Sequence, residues 1–283
     1  MSSNARTPAE SNRHVYDSAS MAKKYLRWGA SHGLMDGEKA ILARLGNALS
    51  GVPLLDIGVG GGRTSPHLSR ACRRYVGIDY AEAMVRRCRR SFPHLEFRHC
   101  DARDMSAFEA GSFGAAWFSF NGIDNVSPED RRRILREIAR VLSPGGVLVF
   151  STHNLHAPPA PPGLWPKWRQ DGHILRRFLS NVRSMGGHLG DLARYRARKA
   201  RQYRGDGYAM LVDMAHGYRL LMCYVTPEYQ VGQLRDLGFG EVEIVVEDGS
   251  EWTPATQPAD NWLYYVAHKA ELVPPPGLRV PSS

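Results

Sequence analysis

Residues 54–64 read LLDIGVGGGRT. Leu54, Leu55 and Ile57 form a short apolar run of the kind that makes a buried parallel strand, and Asp56 interrupts it near its end. Gly58, Gly60, Gly61 and Gly62 then strip the side chains from a turn, and Thr64 opens a helix. Such a turn lets backbone N–H groups approach a ligand closely, at the end of a strand where open α/β sheets bind nucleotides. The spacing narrows the ligand. A dinucleotide fingerprint G-x-G-x-x-G needs its third glycine where Arg63 stands. A phosphate loop needs Gly-Lys-Ser/Thr, and none follows.

Downstream, the pattern alternates strand and helix. Thr64 to Cys72 reads as a helix, and YVGIDYAEAMV (75–85) as a second strand ending in Asp79. A carboxylate there can accept hydrogen bonds from both hydroxyls of a ribose, or cap the helix that follows. A short third strand, Leu95 to Arg98, leads to Asp101-Ala102. FGAAWFSF (113–120) is a fully buried strand running into Asn121-Gly122-Ile123-Asp124. Ser127 and Pro128 open the next helix, and VLVFSTHN ends a fifth strand at His153 and Asn154. The alternation implies a parallel sheet. From Thr226 it resumes with a helix, Gly238 and a strand, and NWLYYVAHK is the last strand.

The acid two residues before G-x-G-x-G, followed by Asp79, Asp101-Ala102 and the string REIARVLSPGGVLVFS, resembles the class I S-adenosylmethionine-dependent methyltransferases of the small-molecule type. The resemblance implies an α/β fold: a seven-stranded, mostly parallel, doubly wound sheet with its last strand antiparallel. It also implies an N-terminal helical cap and a helical lid inserted after the fifth strand. Its cofactor would be S-adenosylmethionine. On this pattern Asp56, Gly58, Gly60, Gly62, Arg63 and Thr64 supply the glycine-loop contacts. Asp79 binds ribose, Tyr80 and Met84 pack on adenine, and Asp101 and Ala102 meet the adenine edge. Ser119 and Phe120 lie beside the sulfonium, and Tyr25 reaches down from the cap. Tyr16, Asp17, Ala22 and Tyr25 fit the cap helix, which could equally be a plain amphipathic helix with aromatics in the core.

Methyl transfer from a sulfonium is an in-line displacement, so the protein chiefly positions the nucleophile and excludes water. A weak nucleophile such as an alcohol additionally needs a base. The candidates are His153, which could be only a satisfied structural residue, Asp124, which could instead cap a turn with Asn125, and Tyr16 or His14 from the cap. A metal-dependent enzyme would want an acid at the fifth strand end, where Thr-His-Asn stands, so no metal is expected. Asn121-Gly122-Ile123-Asp124 lacks the prolines of adenine amino-methyltransferases.

The expected organisation is a tail over 1–13, a helical cap over 14–48, a cofactor-binding core over 49–155, a lid over 156–225, the rest of the core over 226–270 and a tail over 271–283. In the cap, a second helix is expected from Asp36 to Leu45; in the lid, a helix from His173 to Met185 precedes a basic stretch, Arg194 to Arg204. Between Lys167 and Arg204 there are eleven Lys and Arg against two acids. That suggests an anionic substrate or polymer, or merely a solvated face.

No apolar run approaches the roughly 18 residues of a membrane span, and the N-terminus lacks an apolar secretory segment. Cys72, Cys88, Cys100 and Cys223 form no C-x-x-C pair, which suits reduced thiols in a cytoplasm. The function expected is methylation of O or N on a small, possibly anionic molecule, with no membrane partner and an open oligomeric state. An RNA- or protein-modifying enzyme, or a non-catalytic cofactor binder, would use the same fold. The net charge of +9 leaves nucleic acid possible but not favoured.

Overall fold

Strand β1 (Pro53–Ile57) lies at the centre of a sheet, hydrogen-bonded in parallel to β2 (Arg74–Asp79) on one side and β4 (Phe113–Phe118) on the other. In this computed structural model residues 12, 33–163, 174–214, 217–253 and 260–271 are described, the first turns of 174–184 by backbone alone. The expected cap helix around Tyr16, Asp17, Ala22 and Tyr25 falls outside them, as do both tails except for Asn12 and Glu271.

The outer strands extend this sheet on both sides. Strand β3 (Glu96–His99) flanks β2, and β5 (Leu142–Asn154) flanks β4, all in parallel. Strand β10 (Trp262–Lys269) pairs antiparallel with β5 and with β9 (Phe239–Val245). Alternation along β1 sends Leu55 and Ile57 to one face and Leu54 to the other. On the first face they meet Ile134, Leu135 and Ile138 of α4 (Pro128–Val141) and Leu234 of α6 (Pro227–Asp236). On the second, Leu54 meets Ile41 and Leu49 of α1 (Asp36–Ser50), Leu68 of α2 (Ser65–Ala71) and Val85 of α3 (Glu82–Ser91). The sheet is thus doubly wound. Ser127 caps α4 by accepting from the Asp130 N–H at 3.2 Å, with Pro128 in the first turn.

One expectation needs correction. Seven strands, β1 to β5 with β9 and β10, make the expected sheet with its last strand antiparallel, but the insertion after β5 is not purely helical and extends that sheet by three more strands. It holds α5 (Ile174–Lys199) and an antiparallel meander of β6 (Tyr203–Gly205), β7 (Tyr208–Val212) and β8 (Leu221–Val225). The physical reason is the length of β5. Its pairing with β4 stops at Phe118–Phe150, and β8 takes up the vacated edge at His153 and Asn154. Helix α5 also continues beyond Met185, through Gly186, Gly187 and Gly190, into the basic stretch. Its far half is anchored by Arg194, which donates to the Gly217 carbonyl at 2.8 Å, and by Tyr195 against Tyr218, which offsets the helix penalty of the glycines.

Candidate active site

The C-terminal ends of β1, β2 and β4 and the segment after β3 enclose a cleft of about 1300 Å³, counting its open mouth. The glycine loop forms one wall. Gly58 and Val59 donate to the Ile78 carbonyl at 2.8 and 3.1 Å, folding the loop back on β2. The Gly60 N–H donates to one Asp79 oxygen and the Ala81 N–H to the other, both at 2.8 Å. Asp79 therefore pins the loop and the start of α3 together. Gly58 and Gly62 hold φ of +67° and +78°. A Cβ on Gly58 would lie 2.7 Å from the Phe118 ring, and one on Gly62 would lie 2.7 Å from the Phe92 ring.

Of the expected cofactor residues, Gly58, Gly60, Arg63, Thr64, Asp79, Tyr80, Met84, Asp101, Ala102, Ser119 and Phe120 all line this cleft. Two do not. Gly62 is a packing glycine against Phe92 and Cys88. Asp56 lies behind the loop, buried, accepting from Thr64 Oγ1 at 2.8 Å and Tyr75 OH at 2.7 Å. Strand alternation explains this, because Asp56 shares the face of Leu54 rather than pointing from the strand tip. Tyr25, Tyr16 and His14 lie outside the described residues.

Burial pushes the Asp56 carboxyl up to about 7, although Tyr75, Thr64 and Arg63 pull it down. A carboxyl raised by folding stabilises the protein fully below its unfolded value, and that contribution is lost as pH rises through the folded value. Between about pH 4 and pH 7 the wild type should lose about 4 kcal/mol relative to Asp56→Asn. Urea unfolding at several pH values checks this; parallel stability curves would refute it.

Two polar groups at the cleft carry no recognisable sequence signal. Arg103 lines it and binds Asp101 at 2.7 Å and Asp130 at 2.8 Å. Glu38, in the first turn of α1, has no exposed surface. Its carboxylate accepts from Arg63 Nη2 at 2.6 Å and Nη1 at 2.5 Å, from Ser119 Oγ at 2.6 Å and from the Met35 N–H at 2.8 Å. Burial works against the Arg63 charge, but hydrogen bonding and the charge of Glu38 hold its pKa above the ordinary value. The Arg63 guanidinium also sits 5.5 Å from the centre of the Phe120 ring. One carboxylate thus joins α1, the glycine loop and the end of β4.

The chain turns sharply after β4, with Phe120 and Asn121 both left-handed at φ of 54° and 56°. Beyond this turn Asp124 is completely buried. One oxygen accepts from Arg131 and from Thr152 Oγ1; the other accepts from the His153 N–H and meets His153 Nδ1, both at 2.8 Å. Asp124 therefore has no path to a substrate, and the expectation of a direct catalytic role becomes one of positioning. The His153 ring stands with its Nε2 3.3 Å from Asn121 Nδ2 and its centre 4.6 Å from that of Tyr224 on β8. His153 lies just outside the cleft lining, next to Asn121, whose neighbours Phe120 and Gly122 are part of that lining. Asn154 turns away, accepting from the His156 N–H and donating to the Asp260 carbonyl. Asn12, buried, donates to the carbonyls of Asn125 at 2.9 Å and Leu221 at 3.0 Å.

Comparison with known proteins agrees with this architecture. A family model described as a methyltransferase domain matches residues 54–146. The chain is 31% identical over 166 residues to the ubiquinone biosynthesis O-methyltransferase of Xanthomonas oryzae pv. oryzae, covering 54% of this chain and 67% of that protein. It is 37% identical over 119 residues to the demethylmenaquinone methyltransferase of Clavibacter sepedonicus, covering 40% of this chain and 45% of that one. The chain thus spans less than half the length of some of its relatives. The structure of the N-methyltransferase NodS of Bradyrhizobium japonicum, bound to S-adenosyl-L-homocysteine, superposes with a TM-score of 0.52 at 16% identity, covering 94% of this chain and all of that one. The chain belongs to the class I S-adenosylmethionine-dependent methyltransferases, and its cofactor is S-adenosylmethionine. Among the described residues no helix is long and apolar enough to cross a membrane.

Proposed function

We propose that the cleft holds S-adenosylmethionine and that the enzyme methylates an oxygen of a small hydroxylated molecule. The residues fit that cofactor. Asp79 offers a carboxylate for the ribose, Tyr80, Met84 and Ala102 offer flat and apolar surface for adenine, and Asp101 offers an acceptor at its edge. The loop approaches without side chains at Gly58 and Gly60, and Arg63 stands at the far end. When bound, the cofactor supplies an electrophilic methyl group on a good leaving group.

The observation that carries the oxygen assignment is the orientation of His153. Its Nδ1 faces the Asp124 carboxylate, which fixes the proton there and makes Nε2 an acceptor, met by the Asn121 amide N–H at 3.3 Å. A substrate hydroxyl that displaces the Asn121 amide from Nε2 would pass its proton there as it attacks, and Asp124 would balance the imidazolium, with Arg131 as the counter-charge behind it. The name of the Xanthomonas relative, an O-methyltransferase, supports the same acceptor. Incubation with methyl-labelled S-adenosylmethionine and separate pools of phenols and catechols, amines, and RNA tests this. Label in methyl ethers is expected. Label confined to amines or RNA, or no transfer at all, would count against it.

A further inference from the structure

The large apolar side chains exposed among the described residues are Met185 at 43%, Leu189 at 60%, Tyr203 at 43% and Met214 at 53%. All four belong to the insertion. On α5 the exposed positions Met185, Leu189, Ala193 and Arg196 recur every three or four residues, which places them within about 80° of one another around the helix. The opposite side of the helix is already used: Tyr195 packs edge-on against Tyr218, and Arg194 holds the Gly217 carbonyl. The outward stripe therefore has no protein partner among the described residues.

The surroundings of the stripe are basic. Arg196 lies on it and Lys199 near the end of the helix, and beyond the helix Arg201, Arg204 and Arg219 are also exposed. Arg198 is held below its ordinary pKa, by burial first and then by the charges of Arg201, Arg194 and Arg219. Of the nearby acids, Asp191 is tied to Arg194, Asp213 is buried against Tyr224, and Asp206 stands exposed in the turn between β6 and β7. This part of the insertion is a crowd of like charges that an anionic surface would relieve.

We infer that the outer face of α5 seats the protein on an anionic lipid bilayer, with Met185 and Leu189 entering the headgroup boundary and the flanking cations meeting lipid phosphates. A helix that joins apolar side chains to Lys and Arg along one face is what an interfacial helix requires. A nucleic acid would satisfy the cations but leave Leu189 and Met185 in water. A second copy of the chain would bring like charges together. Attachment of this kind needs no membrane span, so it departs from the expectation of no membrane partner, which rested on the lack of an apolar run long enough to span.

Flotation of the full chain with vesicles tests the inference, using phosphatidylcholine alone and an equal mixture with phosphatidylglycerol. The protein should float with the anionic vesicles only and be released by high salt. Leu189→Asp and, separately, Arg196→Glu should each lower the bound fraction about tenfold or more, with circular dichroism and S-adenosylhomocysteine binding unchanged. Failure to float at low salt would overturn the proposal. So would a Leu189→Asp protein that floats as the wild type does, or RNA that displaces the vesicles and still binds the Leu189→Asp protein.

Discussion

Glu38→Ala is expected to destabilise the protein by about 3–5 kcal/mol, the cost of breaking a buried ion pair by removing one member. Glu38 has no exposed side-chain surface, and only 8% of the Arg63 side chain is exposed. Removing the carboxylate takes away both guanidinium bonds, the acceptor of Ser119 Oγ and the acceptor of the Met35 N–H. Arg63 would keep the Gly33 carbonyl at 2.9 Å, which cannot replace a charge. Urea unfolding at neutral pH reads the loss. Glu38→Ala/Arg63→Met should recover part of it, because removing both members of a buried pair is less costly than removing one. A loss below about 1 kcal/mol for the single variant would mean that water reaches Arg63 and that the pair does not organise the loop. Because the same carboxylate holds Ser119 and the glycine loop, the cofactor affinity of any folded Glu38 variant should fall as well.

His153→Ala should lower turnover by about 100- to 10,000-fold, the range for loss of a positioned general base. The ring is held from three sides: Asp124 on Nδ1, Asn121 beside Nε2 and the Tyr224 ring against its face. These contacts fix one lone pair in one direction. The variant should bind S-adenosylhomocysteine as the wild type does, since His153 is not part of the cleft lining. Turnover within about threefold of wild type would remove His153 from the chemistry and favour an acceptor that needs no base.

Most of the proposed cofactor cleft is legible in the sequence because its residues are local to strand ends. The apolar run 54–57 and the glycines fix β1 and the loop, and Asp79, Tyr80, Met84, Asp101 and Ala102 then fall on one cleft by topology alone. Glu38 was not legible. An acid in the first turn of a helix is ordinary, favoured by the helix dipole, and its burial is created by Arg63 from far along the chain. Asp56 stands beside the glycines in sequence, which suggests a ligand contact, but the alternation of β1 turns it towards Tyr75. The meander was missed for a different reason. Strands β7 and β8 have apolar sequences, but their place depends on β5 outrunning β4, and that difference in length emerges only when the sheet is assembled. The same extension brings Tyr224 to His153.

The most direct measurement is calorimetric titration of the wild type and Asp79→Ala with S-adenosylhomocysteine, and of the wild type with NAD. One saturable site is expected for S-adenosylhomocysteine and none for NAD. In Asp79→Ala the affinity should fall by about 1–3 kcal/mol, since the proposed ribose bonds and the observed hold on Gly60 would both be lost. Binding of NAD alone, or unchanged S-adenosylhomocysteine affinity in a folded Asp79→Ala protein, would contradict the assignment of this cleft as the cofactor site.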